Sequence, residues 1–299
     1  MFESLLRLRL LPRFALLPIF FFSATLSASE DSNYLLILQP GYPGSTKDAV
    51  GFVSQLCKTV TKLGGVSIGG GEYHNREKRG LETVELKKPA VGIFSLGMYL
   101  KHKKPLGLQA LLVSDPERPY YVVARKGAFR DLEALKGKKV TGTPLTEPEF
   151  FERVLFSSGG AAGASPVSDW QTRAARSCTK GLRDLRRQRT DAVVLNGREY
   201  VGFLGKKKLD GLEAFHETRN FPLAVVVTIG RGLSDEEETQ LVKAFEALGQ
   251  SAEGKSLLAE MGIEKFTRTE SEKFREYEVL YREKDPSTAK NGAKTESRE

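Results

Sequence analysis

Cysteine and histidine are both scarce in this chain, and each scarcity closes off a class of chemistry. Two cysteines, Cys57 and Cys178, cannot build a disulfide framework or a Cys-based structural zinc site. Three histidines, His74, His102 and His216, stand in no metal-ligand spacing. Neither a metal nor a resident cofactor is expected. Long hydrophobic runs are also missing. The charge-free stretch 14–29 has 16 residues, short of the roughly 20 that a bilayer span needs. There is no internal repeat at a fixed period. With 40% hydrophobic and 28% charged residues, 29 Gly and 13 Pro, the composition is that of a globular protein. It excludes wholesale disorder, collagen-like repeats and a polytopic membrane protein.

What is present is a chain of 299 residues, enough for about two folded units, and a net charge of +8. The first segment is an address. Arg7, Arg9 and Arg13 precede an apolar stretch, 14–22, and then the small residues Ser23-Ala-Thr-Leu-Ser-Ala-Ser29. A basic start, a short apolar run and a small-residue exit predict a secretory signal peptide over 1–29, cleaved near Ala28 or Ser29. No cysteine at that exit suggests a lipid anchor, so the expected location is periplasmic or secreted.

The body alternates strand and helix. The apolar run 34–39 reads as a strand ending in the loop Pro40-Gly-Tyr-Pro-Gly-Ser45. Val50, Val53, Leu56, Cys57, Val60 and Leu63 then recur at helical spacing, which makes Cys57 a small core residue. Strands are predicted at 66–68, 90–94, 108–114, 120–125, 139–141, 191–195 and 221–228, and helices over 76–88, 95–104, 147–156 and 179–189. Ser234 caps a further helix with Leu241, Val242, Phe245 and Leu248 on one face. Residues 284–299 are polar and predict a disordered tail. Short strands alternating with helices mean an α/β architecture.

Two motif matches fail on context. Gly249-Gln-Ser-Ala-Glu-Gly254-Lys255-Ser256 fits the P-loop pattern, but an amphipathic helix precedes it where phosphate cradling needs a strand. Gly65-Val-Ser67-Ile-Gly69 fits a nucleophile elbow, and Asp210 and His216 follow in the required order. That leaves a secreted serine hydrolase using Ser67 as a minor alternative. The glycines at 69–71 lack the third glycine of a dinucleotide fingerprint, because His74 stands there. The basic runs Lys206-Lys207-Lys208 and 183–189 have no interleaved aromatics, so no nucleic-acid partner is expected.

From Pro119 onward the order of segments resembles the periplasmic solute-binding proteins of ABC importers, of the type with two crossovers between lobes. The phosphate/phosphonate-binding branch is the nearest in look. Phe129-Arg-Asp-Leu-Glu-Ala-Leu-Lys-Gly-Lys-Lys-Val140 is similar to that family's entry into its second lobe. Residues 182–194 resemble the segment leading to its buried strand, and Phe221-Pro-Leu-Ala-Val-Val-Val resembles the return strand. Gly254-Lys-Ser-Leu-Leu-Ala-Glu-Met-Gly-Ile263 is similar to a family helix and turn, which accounts for the false P-loop.

The resemblance implies an α/β, two-lobed periplasmic-binding-protein-like fold with a two-stranded hinge. It implies a first lobe from 30–117 and 222–283 and a second lobe from 118–221. The implied protein is a non-enzymatic, monomeric receptor for a small polar or anionic ligand, docking on a membrane permease. A ligand-sensing accessory subunit of a signalling system is the alternative on the same fold.

Ligands of open α/β sheets bind outside the carboxyl ends of strands. By that rule the candidate ligand contacts are Tyr42, Ser45, Tyr73, Ser95 and Tyr99 in the first lobe. In the second they are Thr143, Thr146, Asn196 and Arg198. Thr146 is also expected to cap the helix after it. One departure stands out. Relatives that hold oxyanions carry Ser, Thr or Gly just inside the second-lobe helix, whereas here Glu147, Pro148 and Glu149 follow Thr146. Carboxylates there repel an anion. Either they point outward, or the ligand carries an amine, or phosphate-type binding has been lost. Cys57 and Cys178 fall in different lobes, where a disulfide would obstruct the hinge, so free thiols are expected. The charge is lopsided: residues 118–221 hold 20 Lys+Arg against 12 Asp+Glu, a field that favours anions or steers docking.

Overall fold

A computed structural model describes residues 33–64, 66–157, 166–269 and 271–283. The expected signal peptide and polar tail lie outside the described residues, as does Gly65 of the Ser67 motif.

The first lobe begins with β1 (Asn33–Leu38), α1 (Thr46–Gly64), β2 (Ile68–His74), α2 (Glu77–Lys87), β3 (Val91–Phe94), α3 (Leu96–His102) and β4 (Leu108–Asp115). Leu35 to Leu38 of β1 are all fully buried, the signature of a parallel strand with helices on both faces. The stripe Val53, Leu56, Cys57 and Val60 of α1 is buried as its spacing requires. The chain then crosses to β5 (Tyr120–Arg125), β6 (Lys139–Gly142), α4 (Pro148–Phe150), β7 (Gln171–Ala174), α5 (Cys178–Arg186), β8 (Ala192–Asn196), α6 (Gly197–Leu204) and β9 (Leu212–Glu217). It returns as β10 (Val225–Ile229), α7 (Asp235–Leu248), α8 (Ala252–Met261), β11 (Lys265–Arg268) and α9 (Ser271–Glu283).

Two sheets result. The first has the order β11-β4-β10-β3-β1-β2 and the second β7-β6-β8-β5-β9. β1 runs parallel to β2 and β3, whereas β10 is antiparallel to β3 and β4, so the returning chain is inserted into the middle of the first sheet. Between the sheets the two crossing segments pair once, at Arg118 and Phe221. Each N–H donates to the other's carbonyl at 3.0 Å. This is the two-stranded hinge.

An apolar cluster passes through the hinge from one lobe to the other. Phe221 packs edge-on against Tyr120 and Phe150, with Tyr277 of α9 tilted against its far side. α5 and α6 cover the opposite face of the second sheet through Leu182, Leu185 and Phe203. Among the described residues no helix is long and apolar enough to cross a membrane. Cys57 and Cys178 are free thiols.

Several elements differ from the sequence reading. The predicted helix 147–156 is a single α-turn followed by a π-helical turn, Phe151–Leu155. Thr146 does not cap it. Thr146 ends a preceding 3-10 turn, its hydroxyl donates to the Thr143 carbonyl at 2.7 Å, and Glu147 holds the cap position. Strand β2 runs through Gly69, Gly70 and Gly71 rather than stopping before them. A Cβ on Gly71 would lie 2.7 Å from the Leu35 carbonyl and 2.9 Å from Val53, so glycine lets α1 lie close on the strand. Strands β7, β9 and β11 are additional; β7 and β11 are four residues long with no apolar alternation, and β9 sets only Leu212 and Ala214 against one apolar cluster.

Candidate interlobe binding cleft

The carboxyl ends of β1, β2 and β3 in the first lobe face those of β6 and β8 in the second, and the lobes are drawn together. Three of the contacts that cross the gap define it. The first is backbone on backbone. Gly41, after β1, adopts φ +80°, and a Cβ there would lie 2.7 Å from the Thr143 carbonyl oxygen and 2.8 Å from Thr146 Oγ1. Only glycine accepts both that dihedral and that approach.

The second contact is an arginine clamp. Arg198, in the first turn of α6, donates to the Met261 carbonyl at 3.1 Å and the Glu260 carbonyl at 2.5 Å. Those carbonyls end α8, where the helix leaves acceptors without intrahelical partners and favours a cation.

The third is Glu147. Its carboxylate crosses into the first lobe, where it accepts from the Ser95 hydroxyl, whose oxygen in turn caps α3 by accepting from the Met98 N–H at 3.2 Å. Glu147 is only 7% exposed and Ser95 only 4%. Of the outcomes the sequence left open for Glu147, pointing outward is ruled out. Burial pushes its carboxyl up to about 7, against the opposing pull of the Ser95 hydroxyl and the nearby Met98 N–H.

Around these contacts the other candidates take distinct places. Thr143 is buried and donates to Glu199 Oε1 at 2.8 Å. Asn196 caps α6 in a reciprocal box with Glu199: its side chain accepts from the Glu199 N–H at 2.9 Å, and its own N–H donates to the Glu199 carboxylate at 3.0 Å. Burial raises the Glu199 carboxyl as well. Tyr42 Oη donates to the Leu223 carbonyl at 3.4 Å, and Tyr73 Oη to the Pro43 carbonyl at 3.0 Å. Burial pushes the Tyr73 phenol up to about 12 and, with the carboxylates of Glu199 and Glu147, raises that of Tyr42 further. Both are therefore neutral donors at physiological pH. Tyr42, Tyr73 and Arg198, with Gln39, Asp48 and Phe52, line a cavity of about 220 Å³ at the first-lobe side of the cleft. Larger cavities lie elsewhere. One of about 390 Å³ sits against the hinge, lined by Asp115, Glu117 and Lys273.

Two expected contacts are not in the cleft. Ser45 is exposed and serves α1, with its hydroxyl 2.7 Å from Asp48 Oδ2 and accepting from the Asp48 N–H. Tyr99 lies on α3 but points away. Its hydroxyl donates to Glu278 of α9 at 3.0 Å, and its ring meets Phe274 edge-on. Conversely, the sequence reading did not single out Glu199 or Tyr120. Glu199 was legible as the fourth residue of an Asn-x-x-Glu capping box. Tyr120 had no such signal, because its burial depends on Phe150 and Phe221 from distant segments.

The hydrolase alternative is not supported. Ser67 is exposed and sits just before β2 of the first sheet, so a strand follows it where an elbow needs a helix. His216 lies on β9 of the second sheet beside Phe156. The P-loop match joins α7 to α8, with Ser251 capping α8 through the Gly254 N–H at 2.9 Å.

A comparison against curated protein sequences finds no match. Solved structures with the same fold include a binding protein component of an ABC phosphonate transporter from Pseudomonas aeruginosa. It is 15% identical, with 84% of this chain and 87% of that chain covered and a TM-score of 0.62. PhnD1 from Prochlorococcus marinus in complex with methylphosphonate is 15% identical over 85% of this chain and 98% of that one, with a TM-score of 0.64. A Xanthomonas citri protein bound to ATP is 12% identical over 84% and 98%, with a TM-score of 0.63. The family model for the phosphonate periplasmic substrate-binding protein of ABC transporters matches residues 91–274, more than half of the chain. With two lobes, a paired hinge and that match, the chain belongs to the family of periplasmic substrate-binding proteins of ABC phosphonate transporters.

Proposed function

We propose that this protein is exported with cleavage of residues 1–29 and acts as a monomeric, non-enzymatic receptor. It captures a small anionic solute of the phosphate or phosphonate class between its lobes, residues 118–221 forming the second, and presents it to a membrane permease. The observation that carries this reading is the convergence of Gly41, Ser95, Glu147 and Arg198 on contacts across one cleft opposite a paired hinge.

Closure is the functional event in such an architecture. Only contacts made to both lobes favour the closed form, since equal affinity for two states shifts nothing. A micromolar receptor needs about 8 kcal/mol of binding free energy, within reach of a few charge-assisted hydrogen bonds in a water-poor cleft. Tyr42 and Tyr73 are neutral, and each has one O–H that would turn from the Leu223 or Pro43 carbonyl to donate to an oxyanion.

Thermal-shift screening against phosphate, methylphosphonate, sulfonates and amino acids tests the reading. Stabilisation by phosphate or methylphosphonate is expected. Stabilisation by amino acids alone assigns the cleft to a different solute, and no response to any of them refutes the receptor assignment.

A further inference from the structure

Resting on the reading above, we infer that Glu147 is a specificity-determining latch: its carboxylate closes the lobes in the absence of solute by filling the Ser95–Met98 seat, and a phosphonate must displace it to bind.

The local sequence frees Glu147 for this role. It stands at the cap position of α4 with φ −123° and ψ 68°, makes no side-chain bond to its own helix, and is followed by Pro148, which has no N–H to offer. Its side chain therefore reaches out of its own lobe. The seat is built to receive it. Ser95 N is held by the Leu38 carbonyl at 3.1 Å, and its hydroxyl oxygen accepts from the Met98 N–H at 3.2 Å, which leaves the O–H to point at Glu147. Gly97 leaves the space open, because a Cβ there would lie 2.9 Å from Glu147 Oε1. The seat thus already holds an oxyanion, supplied by the other lobe. A second oxyanion cannot share the single Ser95 O–H with a buried carboxylate, since like charges in a low-dielectric site repel strongly.

The cation acting on Glu147, Lys101, is shared with two other carboxylates. Lys101, on α3, is 3.0 Å from Glu77 of α2 and 3.6 Å from Glu149 of α4, and His102 is 3.0 Å from Glu77. From the other sides it faces the phenols of Tyr42 and Tyr120, with Glu199 beyond and Arg198 bound to α8 carbonyls. Burial, helped by the Glu77 charge and opposed by Lys101, pushes the carboxyl from its usual 4.5 up to about 7. The sign follows. The closed form keeps a proton that the open form releases between those values, so closure takes up a proton. The closed-to-open ratio falls by up to about tenfold per pH unit as pH rises through that window.

Small-angle X-ray scattering and calorimetric titration with methylphosphonate, run on the wild-type protein, Glu147→Ala and Glu147→Gln, test this. The wild type is expected to be compact without ligand, and more fully so at pH 5 than at pH 8. Glu147→Ala should be expanded without ligand, should close on methylphosphonate, and should bind it at least tenfold more tightly. Glu147→Gln, which keeps the shape of the protonated acid, should stay compact at both pH values. If Glu147→Ala is as compact as the wild type without ligand, the latch is overturned. If it opens but gains no affinity while the wild type binds, displacement is overturned and the phosphonate reading stands. If it opens and no variant binds methylphosphonate, the latch stands and the phosphonate reading falls. Should Glu147→Ala fail to fold, Ser95→Ala removes the same contact from the first lobe and carries the same expectations.

Discussion

At the scale of single residues, the cleft is held by groups whose energetic weight is set by what they would leave behind. Arg198 is half-buried and closes the end of α8 with two charge-assisted hydrogen bonds, each of the kind worth about 1.5–3 kcal/mol. Arg198→Ala should loosen closure and weaken solute binding by about tenfold or more, while leaving the isolated lobes folded. Titration calorimetry together with a thermal melt separates these effects. Gly41→Ala is a second test. Its methyl would meet the Thr143 carbonyl and force φ +80° on a residue that avoids it. Binding should fall at least tenfold by calorimetry, with far-UV circular dichroism unchanged. The types of residue at these sites were readable from loop positions after strands. The direction each side chain takes was not. Tyr99 follows its helix toward α9 because Glu278 offers its hydroxyl an acceptor there, and Glu278 is 179 positions away in sequence.

At the scale of elements, local chemistry predicted most of what forms. Asn196-x-x-Glu199 and Ser234-x-x-Glu237 both close reciprocal capping boxes, and Ser234→Ala should lower stability by about 1 kcal/mol in a denaturant titration. The alternating helices and buried strands followed from periodicity. The misread elements share a cause. β7 and β11 are short and lack an apolar stripe, so they are strands because a neighbour pairs with them, and β9 adds only Leu212 and Ala214 to its pairing with β5. α4 and its π-helical turn are distorted where Glu147 and Phe150 pack across the lobes. The last helix, α9, braces the rear. Tyr277 lies on Phe221 at the hinge and is 1% exposed, and Glu278 receives Tyr99 and Lys103 from the first lobe. Tyr277→Ala should cost about 3–5 kcal/mol, read from the midpoint of a urea titration.

At the scale of the whole molecule, charge and protonation set the behaviour. Glu147 is raised to about 7 from 4.5, so its contribution to stability is fully present below pH 4.5 and is lost as pH rises through about 7. The full swing is about 3 kcal/mol. His216 acts in the opposite sense, because burial lowers it and stability falls as pH drops through the usual histidine range. The difference between wild type and Glu147→Gln isolates the first effect. Wild type should melt higher at pH 5 than at pH 8 relative to that variant. The excess of Lys+Arg in 118–221 falls on the surface of the second lobe, including exposed Arg183, Arg186 and Lys206 to Lys208. Such a field raises the encounter rate with anions and is screened by salt.

The central claim is that one cleft closes around a solute and that Glu147 closes it when no solute is there. The most direct measurement is the distance between spin labels on exposed Leu86 of the first lobe and Val201 of the second, by pulsed electron paramagnetic resonance. Leu86→Cys and Val201→Cys would be introduced with Cys57 and Cys178 replaced by serine. A single short distance is expected in the wild type with or without methylphosphonate. In Glu147→Ala a longer distance should appear that methylphosphonate returns to the short one. One unchanged distance in both proteins, insensitive to ligand, would contradict the account.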